Sequence, residues 1–300
     1  MKRRLDKYLS DQYNTYSRTY IQKLIQNKYV TVNALHAAPD YKLQYNDLIK
    51  ARIPDNNFVH NKSSLPDILH EDKYILVINK PAGLNVHPPS DKYSLDENHE
   101  VTLSDILYSK YPYSINNSEF NKSRFPGIIH RLDKETSGII IIAKTPESQF
   151  SLSKQFSEHT VKKTYLGIAF GNFSEKNGII EAQITRNSKM RNRFCVGSNG
   201  KESVTEFKVL KQFKGYSYLE IHPVTGRTHQ IRVHLSHINH PIAGDKIYSK
   251  METPFYTRRH MLHSYRIKIV HPKTGKPAEY TAKIPADFMN TLKILKNQYA

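Results

Sequence analysis

Apolar residues recur at helical spacing near the start of the chain. Leu5, Tyr8 and Leu9 share one face, and Ile21, Leu24 and Ile25 repeat that spacing after Ser17, a fitting N-cap. Tyr29-Val30-Thr31-Val32-Asn33 then reads as a strand ended by Asn33. Pro54 to Pro66, rich in Asn, Ser and Pro, reads as a linker. Strand-like runs dominate the remainder of the chain. Tyr74 to Ile78 stops at the turn Lys80-Pro81-Ala82-Gly83, the β-branched run Ile139 to Ile142 suits a buried strand, and Thr164 to Phe170 and Tyr216 to Ile221 add two more. Ile231, Leu235 and Ile238 fit a helix face, as do Phe288, Leu292 and Leu295. Between Pro89 and Arg124 apolar density is low, which predicts loops around a short helix near Leu103 to Leu107. Strands and helices do not alternate regularly, and no internal repeat is visible. The chain is therefore expected to be α+β, with a small unit over 1–53, a linker over 54–66 and a large domain over 67–300.

Charge narrows the class of partner. Among 300 residues, 45 Lys and Arg outnumber 27 acids, for a formal net charge of +18. Such an excess costs self-repulsion in the compact state and fits a polyanionic partner. Arg18, Lys23 and Lys28 lie off the apolar positions of the first unit and are expected to be free to meet phosphates. The single Cys195 excludes an internal disulfide framework and a cysteine zinc site, and fits the reducing cytoplasm. No uninterrupted apolar stretch follows the basic start, so no secretory signal is expected, and the Ile139–Ile142 run is too short to cross a bilayer.

Three segments concentrate reactive side chains. In Gly127-Ile128-Ile129-His130-Arg131-Leu132-Asp133-Lys134-Glu135-Thr136-Ser137-Gly138, strand-like residues flank a charged turn. An Asp there either caps its own backbone or, ionised by Arg131, Lys134 and His130, serves as a nucleophile. Thr225-Gly226-Arg227-Thr228-His229-Gln230-Ile231-Arg232-Val233-His234-Leu235 is a glycine turn and helix start bearing two arginines and two histidines. Spacings of five, three and three from His229 through His234 and His237 to His240 put at most two on one face, so core or hydrogen-bonding histidines are favoured over a metal site. In Lys162-Lys163-Thr164-Tyr165-Leu166, Tyr165 shares a strand face with Lys163; the local pattern alone favours a core or interface tyrosine.

Taken in order, these segments resemble the RluA/RluD-type pseudouridine synthases. His130-Arg131-Leu132-Asp133 with Thr136-Ser137-Gly138 is similar to that family's central motif. The block from Gly226 to Leu235, followed by His240-Pro241-Ile242 and Gly244-Asp245, is similar to its second. Lys80-Pro81-Ala82-Gly83-Leu84 with His87-Pro88 resembles its entry motif, and Arg259, Leu262-His263, His271-Pro272 and Thr274-Gly275 its closing one. Ser17-Arg18, Leu24-Ile25 and Val30 to Asn33 resemble the small RNA-binding domain of the ribosomal protein S-four type. Asn239, Ser249 and Ser203 depart from the family pattern.

The resemblance implies a mainly antiparallel mixed sheet with flanking helices, and isomerisation of uridine to pseudouridine in structured RNA. It implies that Asp133 is the catalytic aspartate, that Arg232 pairs with it, and that Tyr165 and Ile231 contact the flipped uracil. Arg131 would enter the RNA stack, and His130, Arg227 and Lys163 would line the substrate site. No cofactor and no metal are expected, and the chain is expected to act as a monomer. Ribosomal RNA of the large subunit is the first expectation for substrate, with transfer RNA open. A non-catalytic RNA-binding or ribosome-assembly protein and a metal-dependent RNA hydrolase are the competing classes.

Overall fold

The computed structural model describes residues 3–13, 18–26, 28–51, 65–87, 100–111, 127–190, 193–253 and 257–298. The chain divides into two units, one of residues 1–65, 87–128 and 144–146, the other of 66–86, 129–143 and 147–300.

In the first unit, helices α1 (Leu5–Gln12) and α2 (Arg18–Gln26) precede a sheet of β1 (Val30–Val32), β2 (Leu35–His36) and β3 (Ile49–Ala51), in the order β2-β1-β3. Its core is Leu5, Leu9, Ile21, Leu24, Ile25, Val30 and Val32, the residues whose spacing predicts it. Asn33 and Ala34 take positive φ of 53° and 66°, making the tight β1–β2 turn. Ser17, the expected N-cap, lies outside the described residues, as do 52–64, where most of the expected linker falls.

The second unit, with segments that border it in sequence, contributes β4 (Asp67–Glu71), β5 (Ile75–Lys80), then α3 (Leu103–Lys110, of the first unit), β6 (Ser137–Ala143), α4 (Pro146–Ser157), β7 (Lys162–Phe170) and β8 (Asn177–Glu181). After these come β9 (Ile184–Arg186), β10 (Phe194–Val196), β11 (Val204–Phe213), β12 (Tyr216–Pro223), α5 (Gln230–His237), β13 (Leu262–Val270), β14 (Pro277–Thr281) and α6 (Ala286–Gln298). A 9-stranded sheet runs β4-β5-β6-β13-β7-β12-β11-β8, with β14 paired to β13. Its β6–β13 pairing is parallel and the others are antiparallel, the mixed sheet that the family resemblance implies.

Every residue of β6 is buried. Its four isoleucines together contribute roughly 6–12 kcal/mol of gross apolar burial, which anchors the strand on whose leading edge the Asp133 turn sits. Gly138 (φ +114°) lets β6 lie against β13, because a Cβ there would fall on the Ser264 carbonyl. On one side of the sheet Leu166, Ile168 and Phe170 pack with Phe288 and Leu295 of α6. Another cluster joins Ile221, Ile231, Leu235 and Leu262, with Tyr165 packed against it. None of the described helices is long and apolar enough to cross a membrane.

Candidate active site

Strand order brings the reactive segments together. The Asp133 turn enters β6, the Gly226–His229 turn leaves β12 for α5, and β13 and β7 lie between those strands. Tyr165 sits on β7, paired with Ser264 of β13 and Ile221 of β12.

The turn carrying Asp133 is held by its backbone carbonyls. Thr136 N–H donates to Asp133 O at 3.1 Å, Gly83 N–H to Lys134 O at 2.9 Å, and Arg259 Nη1 to Glu135 O at 3.1 Å. The buried Lys80 ammonium donates to Pro81 O (2.7 Å), Leu84 O (3.0 Å) and Lys134 O (3.1 Å). Burial pushes this ammonium down to about 7. Thr136 Oγ1 lies 2.7 Å from His260 Nε2 and Ser137 Oγ 2.9 Å from His263 Nδ1, fixing the turn to the segment entering β13.

Arg232, on the first turn of α5, is only 4% exposed and shared by two carboxylates. Nη1 donates to Asp133 Oδ2 at 2.8 Å, while Nε and Nη2 donate to Asp245 Oδ2 and Oδ1 at 2.7 and 2.9 Å. The Tyr248 ring lies 5.0 Å from the guanidinium carbon. Burial opposes the charge on Arg232, but the two carboxylates outweigh it and raise its pKa, so it stays cationic.

Burial likewise pushes the Asp133 carboxyl up, yet the positive surroundings prevail and hold it below its ordinary value. The fields of His229, Arg232 and His260 act on it. Burial moves both imidazoles toward neutrality, His260 down to about 3, so at neutral pH the lasting cation is Arg232. One guanidinium against two carboxylates leaves a surplus negative charge, and Asp133, with its side chain 18% exposed against none for Asp245, is the partner within reach of solvent. The arrangement supplies an ionised, oriented and partly desolvated carboxylate.

Burial, with the nearby charge of Asp133, pushes the Tyr165 phenol up to about 12, so it stays neutral. Ile231 packs in the same cluster as Tyr165 and is 6% exposed. Arg131 is exposed and near enough for its charge to act on His229.

The expected source of charge on Asp133 is corrected in part. His130 is neutral, with burial pushing it down to about 3. Its Nε2 accepts from Ile141 N–H at 2.9 Å and its ring stacks on Phe156 at 4.6 Å, so it props β6. Arg227 donates through Nε to Glu202 O (3.2 Å), and Lys163 through Nζ to Thr225 O (3.0 Å); burial pulls Lys163 down to about 8. Lys163 also lines a concavity with Lys162, His222, Arg266 and Lys268. Arg18, expected to be free, is instead tied to the buried Asp6 (Nη2 to Oδ2, 3.0 Å), with half its side chain exposed. Lys28 is exposed, and the Lys23 side chain lies outside the described residues.

The four histidines do not converge. His234 meets Thr205 Oγ1 and Ala182 O, and His240 meets Phe170 O and stacks on Phe173. Among the described residues no group of three metal-capable side chains gathers. Sequence reasoning missed the roles of Asp245, Tyr248, His229 and His260. The only signal for Asp245 was its place after Gly244 in the family-like block.

The comparisons agree with this geometry. Residues 74–237 match the family model described as RNA pseudouridylate synthase, and residues 3–49 that of the S4 domain. The ribosomal large subunit pseudouridine synthase D of Nitrosomonas europaea is 34% identical over 304 residues, covering 98% of this chain and 85% of that protein. The protein of the same name from Neisseria meningitidis is 36% identical over 308 residues, with 98% and 79% covered. Among solved structures, human RNA pseudouridylate synthase domain containing 1 aligns with a TM-score of 0.58 at 28% identity, over 76% of this chain and 85% of that one. A family match spanning the strands and helix that carry Asp133, Tyr165 and Arg232, joined to relatives alike from end to end, means that this chain belongs to the RNA pseudouridine synthases.

Proposed function

We propose that this enzyme isomerises uridine in large-subunit ribosomal RNA, with Asp133 as nucleophile. The observation that carries the reading is the Arg232 bridge, which keeps Asp133 ionised and oriented while Asp245 holds the guanidinium. The ribosomal substrate is supported by the names of the relatives from Nitrosomonas and Neisseria. Transfer RNA is the alternative.

The reaction exchanges a carbon–nitrogen glycosidic bond for a carbon–carbon one. It gains and loses neither atoms nor electrons, so the chemistry itself calls for no cofactor. The target base first leaves the stack, at a cost of a few kcal/mol. Arg131 fills the place it vacates, and the basic surface offsets the rest. Asp133 then acts on the ribose or on the uracil ring. Tyr165 and Ile231 keep the detached base captive until it rebonds through carbon 5. Burial keeps the Tyr165 phenol neutral in the resting enzyme, consistent with a role as a wall.

In this reading residues 1–53 form an RNA-binding domain, 54–66 a linker and 67–300 the catalytic domain, in keeping with family matches over 3–49 and 74–237. Lys28, Lys162 and Lys163 meet phosphates, and the enzyme acts as a cytoplasmic monomer. The test is release of tritium from ribosomal RNA labelled at carbon 5 of uridine. Release in proportion to pseudouridine formed supports the proposal. No release from ribosomal RNA, with release from transfer RNA, moves the substrate. No release from either sinks the reading.

A further inference from the structure

Beside the Arg232 bridge a hydrogen-bonded chain ends on His229, whose ring faces the other oxygen of Asp133 without bonding to it. Phe194, first residue of β10, donates its backbone N–H to the Tyr248 hydroxyl at 2.9 Å. The same hydroxyl lies 2.7 Å from His229 Nδ1. On the opposite side of the imidazole, Nε2 lies 3.8 Å from Asp133 Oδ1. His229 is only 16% exposed, and its backbone is left-handed (φ 59°) where it caps α5. A histidine kept in that conformation is fixed by its surroundings, and here these include the Phe194 and Tyr248 rings, each nearly perpendicular to the imidazole.

Donor and acceptor roles among the described residues favour one tautomer. The phenol oxygen accepts from Phe194 N–H, so its own proton must find an acceptor, and His229 Nδ1 is in reach. The reverse arrangement, with Nδ1 protonated, would leave the phenol proton without an acceptor among the described residues. A neutral imidazole that accepts at Nδ1 carries its proton on Nε2, aimed at Asp133. We propose that Tyr248 locks His229 in the Nε2–H tautomer, so that His229 is a positioning residue presenting a donor to the open oxygen of Asp133, and not the base that takes the proton from carbon 5.

The groups facing the ring agree with a neutral imidazole. Burial and the cations Arg232 and Arg131 disfavour its charged form, Asp133 and Asp245 favour it, and the balance lies below the ordinary histidine value. With Nδ1 engaged and Nε2 protonated, His229 has no lone pair to offer. The gap of 3.8 Å is too long for a direct hydrogen bond, which leaves Asp133 Oδ1 unblocked for the nucleotide. The inference rests on the proposed role of Asp133, but the tautomer can be read without it.

Two measurements test it. Nitrogen-15 spectra of the full chain with labelled histidine, assigned with His229→Gln, should show His229 bare at Nδ1 and protonated at Nε2, and Tyr248→Phe should disturb that pattern. In kinetics, His229→Gln, which keeps an N–H at similar reach, should stay within about tenfold of wild-type kcat. His229→Leu should lose roughly a hundredfold and Tyr248→Phe roughly tenfold, as orienting partners commonly do, each with little change in KM for RNA. A wild-type His229 protonated at Nδ1, or doubly protonated at neutral pH, overturns the proposal. So does His229→Gln falling as far as His229→Leu. Turnover by Asp133→Asn would instead refute the functional reading, and would leave the histidine spectrum untouched.

Discussion

Replacing Arg232 with Met exposes how the site is held together. The guanidinium is 4% exposed and contacts Asp133 and Asp245 at 2.8 and 2.7 Å, the latter fully buried. At charge separations of about 4 Å and an effective dielectric of 20, each attraction is ~4 kcal/mol before desolvation. Met fills much of the volume but removes the shared cation and strands two carboxylates that repel each other. Breaking such a buried pair typically costs about 3–5 kcal/mol. For a domain of this size that corresponds to a fall in Tm of roughly 6–20 °C at pH 7. Both carboxyls are held below their ordinary values in the folded enzyme, so their contribution is present above the unfolded value near 4 and is lost as pH falls through the folded values. In Arg232→Met burial and mutual repulsion instead raise the two stranded carboxyls, so the folded variant takes up protons as the pH falls from 7 toward 4 and the gap to wild type should narrow. Adding Asp245→Asn, which keeps the acceptor for the Ile247 and Tyr248 amides, should restore at least ~1.5 kcal/mol through coupling. Denaturant titrations of the four proteins measure all of this. Arg232→Met within ~1 kcal/mol of wild type at pH 7, with no coupling to Asp245, would refute the shared-cation account.

Other expectations come from neighbouring groups. His130, His260 and His263 are pushed down to about 3, 3 and 4 by burial, so each stays neutral in the folded enzyme while its unfolded form takes a proton below about 6.5. Their stabilisation is complete above 6.5 and falls with pH, by up to ~2 kcal/mol each at pH 5, and His130→Gln should remove its share of that loss in unfolding titrations. Gly138→Ala should cost about 3 kcal/mol, since it combines a left-handed backbone with overlap on the Ser264 carbonyl; a cooperative transition of wild-type midpoint would contradict this. Filter-binding of RNA should weaken steeply from 50 to 200 mM salt, and a flat response would argue against phosphate-dominated docking.

What could be read from sequence was the local pattern. The helix faces of α1, α2, α5 and α6 and the buried strands β5, β6, β7 and β12 carry apolar residues at their own periods, and the structure has them there. Helix α4 gave no such signal, because only Ser148 and Leu152 of its twelve residues are buried along its length. Strand β11 carries Glu206, Lys208, Lys211 and Gln212 outward, and β4, β8 and β14 are short and largely exposed, so their low apolar density hid them. The site shows the same division. The family-like motifs pointed to Asp133, Tyr165, Ile231 and Arg232, which the fold does gather. The partners that set their charge were not legible, since Asp245, Tyr248 and His260 reach the site only through the return of the chain from α5 into β13. His130 misled for the complementary reason. Next to Asp133 in sequence, it is turned against Ile141 and Phe156, where burial removes the charge that its position suggested.

The most direct test replaces one carboxylate by its amide. Asn at position 133 can still accept from Arg232, so Asp133→Asn should fold with nearly wild-type stability and bind ribosomal RNA with nearly wild-type affinity. It should release no tritium from carbon 5 of labelled uridine, even with enzyme in excess over RNA. Full tritium release by a well-folded Asp133→Asn enzyme would contradict the account.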